Sequence, residues 1–163
     1  MKGLSEIPTI ADLESAYRRI QINDIGCAEI ALWSQWVRFD PRLGEQLVSC
    51  VCINWPAIDA VLLNEEIKKQ PWPACLGIIM EQAFAYGAFE FLKRDMFKNW
   101  ICPVMSGVAS ASPIANEQFF IGLRALGGKA MFEDATRSLE VYRRWGYLGR
   151  EIMVNKAAYR VKG

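Results

Sequence analysis

The residues of this chain that could perform chemistry are carboxylates and thiols, because the sequence contains no histidine. Histidine is the usual general base, the usual proton shuttle and the commonest metal ligand. Its absence excludes histidine-dependent serine and cysteine nucleophiles, histidine-ligated zinc and proximal-histidine haem. Acid catalysis by a pair of carboxylates needs no histidine and stays open as a class of chemistry.

Glu81 is the first candidate acid, since it lies near the middle of the apolar stretch 74–92. On a helix it shares its face with small residues, and we expect that face to be buried. A buried carboxylate needs a cation, hydrogen bonds or a proton. We therefore expect a core ion pair between Glu81 and Arg38 or Arg124, the alternative being a functional buried acid.

Glu29 is the second candidate acid, because helical spacing places it on one face with Trp33 and Trp36. A carboxyl group against tryptophan can have a raised pKa and act as a general acid. The sequence does not place a second carboxylate beside it. The favoured interpretation is a helix-edge acid next to two core tryptophans, and the alternative is an acid catalyst.

The five cysteines point to a reducing compartment. Their number is odd, and the polar, acidic N-terminus lacks the apolar run of a secretory signal. We expect a cytoplasmic protein with reduced, buried thiols. Their spacings resemble no zinc motif, so the sequence predicts no metal site and no cofactor. The cysteines are Cys27, Cys50, Cys52, Cys75 and Cys102.

Helix-terminating residues occur at regular intervals and separate stretches with helical periodicity. The pattern predicts an all-α single domain, residues 1–163, in which seven or eight helices surround a central apolar helix at about residues 74–100. No strand is predicted. Glu81 in the middle of the apolar stretch argues against a membrane span. The predicted helices begin near Thr9, at Cys27, after Asp40, at Pro56, at Ala74, at Pro113 (ending at Leu126), at Met131 (ending at Trp145) and near Arg150 (ending at Ala158).

The charges of the chain are unevenly distributed, although the net charge is only +1. Residues 137–163 contain seven basic and two acidic residues, so residues 1–136 carry −4. Basic and aromatic residues alternate in this C-terminal region, which is typical of arginine-rich protein interfaces and of nucleic-acid contacts. The predicted partner-binding residues are Arg143, Trp145, Tyr147, Arg150, Tyr159 and Arg160.

These observations favour a non-enzymatic protein interaction module, such as an adaptor, a chaperone-like protein or an assembly subunit, which binds a protein partner or a second copy of itself. Nucleophile-elbow, Ser-x-x-Lys and dinucleotide-binding motifs are absent from the sequence. Two alternatives stay open. One is a histidine-independent enzyme that uses Glu81 or Glu29, and the other, less favoured, is a nucleic-acid-binding protein whose affinity depends steeply on salt.

Overall fold

The computed structural model describes residues 7–87, 91–109, 117–121 and 137–153. Within these residues the chain is mostly helical, and the predicted all-α helical bundle is confirmed. The helices are α1 (Ile10–Gln21), α2 (Cys27–Trp36), α3 (Pro41–Asn54), α4 (Ala60–Lys68), α5 (Ala74–Tyr86), α6 (Phe91–Val104) and α7 (Glu140–Arg143).

Helix starts follow local sequence signals. Thr9 and Asp12 form a reciprocal capping box at the start of α1, in which each backbone N–H donates to the other side chain. Asp40 caps α3 by accepting the N–H of Arg42, and Pro41 occupies the first helical position. Both starts agree with the prediction because capping depends on residues that are neighbours in the chain.

The central element of the bundle is α5, which packs against α2, α3, α6 and α7. Every residue from Ala74 to Met80 is buried, as expected of a helix that is apolar all round. The buried side chains form one continuous cluster, to which Ile30 of α2, Leu47 of α3 and Phe97 of α6 contribute. Burying a leucine or phenylalanine of this kind contributes about 1.5–3 kcal/mol to folding.

The predicted central helix 74–100 is in fact two helices. α5 ends at Tyr86, and Gly87 adopts an extended conformation with φ −69° and ψ 149°. α6 then begins at Phe91. The prediction missed this break because an apolar stretch can continue past the end of a helix, and periodicity alone does not detect it. A second correction concerns Pro56, which lies in a short 3₁₀ turn, while α4 begins at Ala60.

The predicted helix 113–126 is not helical where the structure describes it. Glu117–Gln118 forms strand β1, which pairs in parallel with strand β2, Tyr147–Leu148. Glu117 lies opposite Tyr147 in this register, and Phe119 donates its N–H to the carbonyl of Leu148 at 2.9 Å. The prediction of no strand is therefore wrong by one short pair.

The C-terminal helices are also shorter than predicted. Arg137 is helical, as predicted, but Ser138 is not and Leu139 is extended, with φ −69° and ψ 147°, so the predicted helix 131–145 is interrupted before α7. Residues 150–153, predicted to begin the last helix, are not helical. The rest of that predicted helix lies outside the described residues. Among the residues the structure describes, no helix combines the length and apolarity needed to cross a bilayer.

Candidate interaction surface

The basic residues predicted to bind a partner are only partly available to one. Arg143 is exposed and Arg150 is half-buried. Tyr159 and Arg160 lie outside the described residues. The basic part of the predicted surface is thus represented by two arginines in residues 137–153.

Trp145 and Tyr147, the predicted aromatic residues that the structure describes, face the protein's own interior. Tyr147 is 2% exposed and belongs to the core. Trp145 is half-buried and packs on Gly77 so closely that a Cβ added there would lie 2.3 Å from the indole ring. The small side of α5 at Gly77 thus allows a close approach, and the group that approaches is the Trp145 side chain. Tyr147 is therefore not available to a partner.

Arg38 is the largest side chain in the fully buried interior, with 1% exposure. Its Nε donates to the carbonyl of Phe119 at 2.7 Å and its Nη2 to the carbonyl of Gln118 at 2.9 Å. The Glu117 carboxylate lies 3.7 Å from Nη2 and is half exposed to solvent. Arg38 therefore fastens residues 117–119 to the helical body, a role that leaves its charge inaccessible to a ligand.

Aromatic rings enclose the Arg38 guanidinium. Its central carbon lies 4.5 Å from the ring centroid of Trp72 and 4.9 Å from that of Tyr147. Gln35 orients Trp72 by bonding both its backbone N–H, at 2.8 Å, and its carbonyl, at 2.9 Å. Burial raises the pKa of the neighbouring Cys75 thiol to about 12, which keeps it protonated and unreactive.

Gln82 holds the C-terminal segment against α5. Its Nε2 donates to the Tyr142 hydroxyl at 2.8 Å and to the carbonyl of Glu151 at 3.0 Å. Its Oε1 accepts the N–H of Met153 at 2.7 Å, while the Met153 side chain packs on Gly44. Helical spacing in the sequence predicts that Gln82 lies on a stripe that can meet solvent; this prediction is wrong, because the buried amide bonds polar groups of a remote segment.

Glu81 forms an ion pair, but with a different partner and at lower burial than expected. Its Oε2 lies 2.7 Å from Nη2 of Arg144 and accepts from Nε at 2.8 Å. The Glu81 side chain is 27% exposed and that of Arg144 is 53% exposed. Arg38 is engaged elsewhere and Arg124 lies outside the described residues. The hydrogen bond that Arg144 donates to Glu81 raises the pKa of Arg144.

Glu29 also binds an arginine. Arg19 Nη2 lies 2.7 Å from Glu29 Oε1, and the Arg19 guanidinium lies 5.5 Å from the ring centroid of Trp33. This hydrogen bond lowers the pKa of Glu29 below its ordinary value. The lowered pKa opposes the alternative of an acid catalyst, since the hydrogen bond from Arg19 outweighs the effect of burial on Glu29.

A pair of cations lies over one aromatic ring between α5 and α6. The Arg94 guanidinium is 4.6 Å and the Lys98 ammonium 5.9 Å from the ring centroid of Phe84. Neither cation forms a salt bridge to an acidic side chain of the described residues. Phe84 follows Glu81 by three residues and so lies on the same side of α5 as the Arg144 ion pair.

We call the group Glu81, Phe84, Arg94, Lys98 and Arg144 the basic surface. The sequence analysis did not identify Phe84, Arg94 or Lys98. The spacing of Arg94 and Lys98, four residues apart, is visible in the sequence. Their contact with one ring is not, because it depends on how α6 packs on α5.

Neither a search for metal-binding clusters in the described residues nor a comparison with known proteins identifies a further functional site. In ranges 7–87, 91–109, 117–121 and 137–153, no group of three or more cysteine, aspartate or glutamate residues is placed to hold a metal ion. Comparison of the chain with protein-family models, with curated proteins and with solved structures finds no match. The basic surface is therefore the candidate functional site among the described residues.

Proposed function

We propose that this chain is a non-enzymatic protein interaction module, an adaptor, chaperone-like protein or assembly subunit, which binds its partner through the basic surface. The observation that carries the proposal is the pair Arg94 and Lys98 over Phe84, without an acid from the described residues. Like charges one turn apart on a helix repel each other. An acidic partner neutralises both cations and relieves that repulsion, which makes its binding to this surface electrostatically favourable.

The alternative of acid catalysis has less support. Glu81 and Glu29 are each bound to an arginine at 2.7 Å. The pKa of Glu29 moves away from the range of a general acid. The Cys75 thiol has no exposure to solvent. Glu81 and Glu29 therefore form ion pairs within the fold and Cys75 is buried in the core. The basic surface, which is partly open to solvent, is better placed to bind a partner.

A protein partner is favoured over nucleic acid by the distribution of charge. Residues 7–87 contain ten acidic and six basic residues, whereas 91–109 contain three basic and one acidic. A nucleic-acid surface typically neutralises about 6–10 phosphates. The basic surface is a small positive area on a molecule whose main body is acidic, and this suits a short acidic segment of a protein.

We also propose three properties that the sequence led us to expect. Arg143, next to Arg144 and exposed, extends the surface toward the predicted C-terminal partner site. A cytoplasmic location and self-association are also proposed. The five cysteines all lie in the described residues and form no disulfide there, which supports a reducing compartment.

Site-specific photo-cross-linking in lysate tests the proposal. A photoreactive residue replaces Ala85, which is exposed and adjacent to Phe84. We expect protein adducts that survive nuclease treatment and disappear in the double variant Arg94→Gln, Lys98→Gln. An Arg18→Gln variant, which removes an exposed cation from α1, should keep them. Adducts that vanish with nuclease, or that persist in the double variant, contradict the proposal.

A further inference from the structure

We infer that the partner presents an acidic helix whose two carboxylates, four residues apart, bind Arg94 and Lys98 simultaneously. This inference rests on the proposed function and names the chemistry of its partner. The occupant is a helical protein segment, because a helix is the structure that repeats side chains at the interval shown by the two cations.

The match is one of spacing. Arg94 and Lys98 are four residues apart on α6, so their Cβ atoms are about 5–6 Å apart on one flank of the helix. Their charged groups converge on the Phe84 ring, at 4.6 Å and 5.9 Å from its centroid. Glutamates four residues apart on a partner helix have the same spacing. Two parallel ion pairs can therefore form without distortion of either helix.

Phe84 strengthens this arrangement. The ring lies beneath both cations, which removes water from one side of each and limits the conformations of their long side chains. Because less side-chain entropy is then lost on binding, an ion pair at this place gains more than an isolated surface pair. The planar Arg94 guanidinium also suits bidentate contact with a carboxylate.

A lipid surface fits this flank less well. Met96 is the exposed large apolar residue among the described side chains of α6, with 57% exposure. It lies two residues before Lys98 and hence about 160° away around the helix. Membrane binding by a helix needs cations that border an apolar face able to enter the bilayer. Here the cations and the exposed apolar side chain point in different directions.

Two peptides of equal composition test the spacing. Each is a helical alanine- and glutamine-based peptide of about 16 residues with capped ends and two glutamates. In one the glutamates are four residues apart; in the other they are two residues apart and point to different sides of the helix. Binding of fluorescein-labelled peptides is measured by anisotropy. We expect the first peptide to bind several-fold more tightly than the second, and to weaken as salt rises from about 50 to about 500 mM.

Three variants locate the binding. Arg94→Gln and Lys98→Gln should each weaken the first peptide about five-fold, the upper range for an exposed ion pair, and leave the second peptide nearly unchanged. Phe84→Leu keeps an apolar side chain beneath the cations but removes the aromatic ring, and should weaken the first peptide about two- to five-fold. Arg18→Gln on α1 should change nothing. Thermal unfolding of every variant confirms that each one folds.

The outcomes separate this inference from the proposed function. Equal affinity for the two peptides, or tighter binding to a thymidine oligonucleotide or to phosphatidylserine vesicles than to the first peptide, overturns the inference. If neither peptide binds but protein cross-links at residue 85 still depend on Arg94 and Lys98, the inference fails and the proposed function stands. Loss of both results contradicts both.

Discussion

Replacement of Arg38 by methionine should destabilise the protein by about 2–4 kcal/mol. Methionine fills a similar volume but removes the hydrogen bonds that Arg38 donates to the carbonyls of Gln118 and Phe119, at about 1–3 kcal/mol each. It also removes the cation from the face of Trp72, worth about 0.5–2 kcal/mol. Part of this loss is offset, because the variant no longer buries a charge.

The assay is urea unfolding followed by circular dichroism, with a Glu117→Gln control. That carboxylate is 3.7 Å from Arg38 and 51% exposed, so its removal should cost less than about 1 kcal/mol. In thermal unfolding of the same variants, we expect the melting temperature to decrease by about 2–4 °C for each kcal/mol of lost stability. An Arg38→Met variant as stable as the native chain, or a Glu117→Gln variant that loses as much, would refute the idea that the two carbonyls hold the segment through Arg38.

Three further substitutions or reagents test other contacts. Gly77→Ala should destabilise the native chain by about 1–3 kcal/mol, because the added methyl group collides with Trp145. In a Trp145→Ala background the same substitution should instead stabilise the protein by up to about 1 kcal/mol. We would compare the melting temperatures of the native chain, the two single variants and the double variant, and destabilisation in both backgrounds contradicts this prediction. A lowered folded-state pKa contributes stability above the ordinary carboxyl pKa that is lost as the pH falls through the folded-state pKa. Glu29→Gln should therefore be less stable than the native chain at neutral pH, and this difference should shrink as the pH falls through the folded-state pKa. A difference independent of pH in urea titrations opposes this. Cys102, which is exposed, should react with a thiol reagent in the folded protein, whereas Cys75 should react only when the protein unfolds. Mass spectrometry of labelled peptides measures both reactions. Labelling of Cys75 in the folded protein contradicts its burial.

Local signals explain which parts of the fold were predictable. The Thr9–Asp12 capping box and the Asp40–Pro41 start of α3 depend on residues within four positions of each other. The buried face of α5 follows from its composition. The all-α class, and several helix starts with it, could therefore be predicted from the sequence.

Long-range contacts explain what was missed. β1 and β2 are two residues each and pair across 30 positions, Glu117 with Tyr147, so neither shows an alternating pattern long enough to detect. The partner of Glu81 is Arg144, 63 positions away. Helical spacing correctly shows that no cation lies one turn from Glu81 on its own helix, but it does not indicate which remote arginine approaches.

The C-terminal segment shows why a basic-aromatic sequence pattern does not by itself define a binding surface. Tyr147 lies against Arg38 at 4.9 Å, and Trp145 occupies the notch at Gly77. The aromatic side chains in this segment thus supply its attachment to the body, while its arginines stay nearer the solvent. Alternation of basic and aromatic residues indicates an amphipathic segment, and the residues that receive it, Gly77 for Trp145 and Arg38 for Tyr147, determine which side chains face inward.

Gln82 is a second case in which a sequence pattern gives the wrong side of a helix. A polar residue in an apolar helix is normally interpreted as marking the solvent side, and by that rule Gln82 faces water. Its side chain is instead fully buried and bonds three groups of residues 142–153. The same amide that breaks the hydrophobic pattern therefore bonds a remote segment: it accepts the buried N–H of Met153 and donates to the carbonyl of Glu151, which also accepts from the Tyr142 hydroxyl. With this segment seated, Arg144 reaches Glu81, one turn of α5 from Phe84, and the basic surface becomes continuous from α6 to α7.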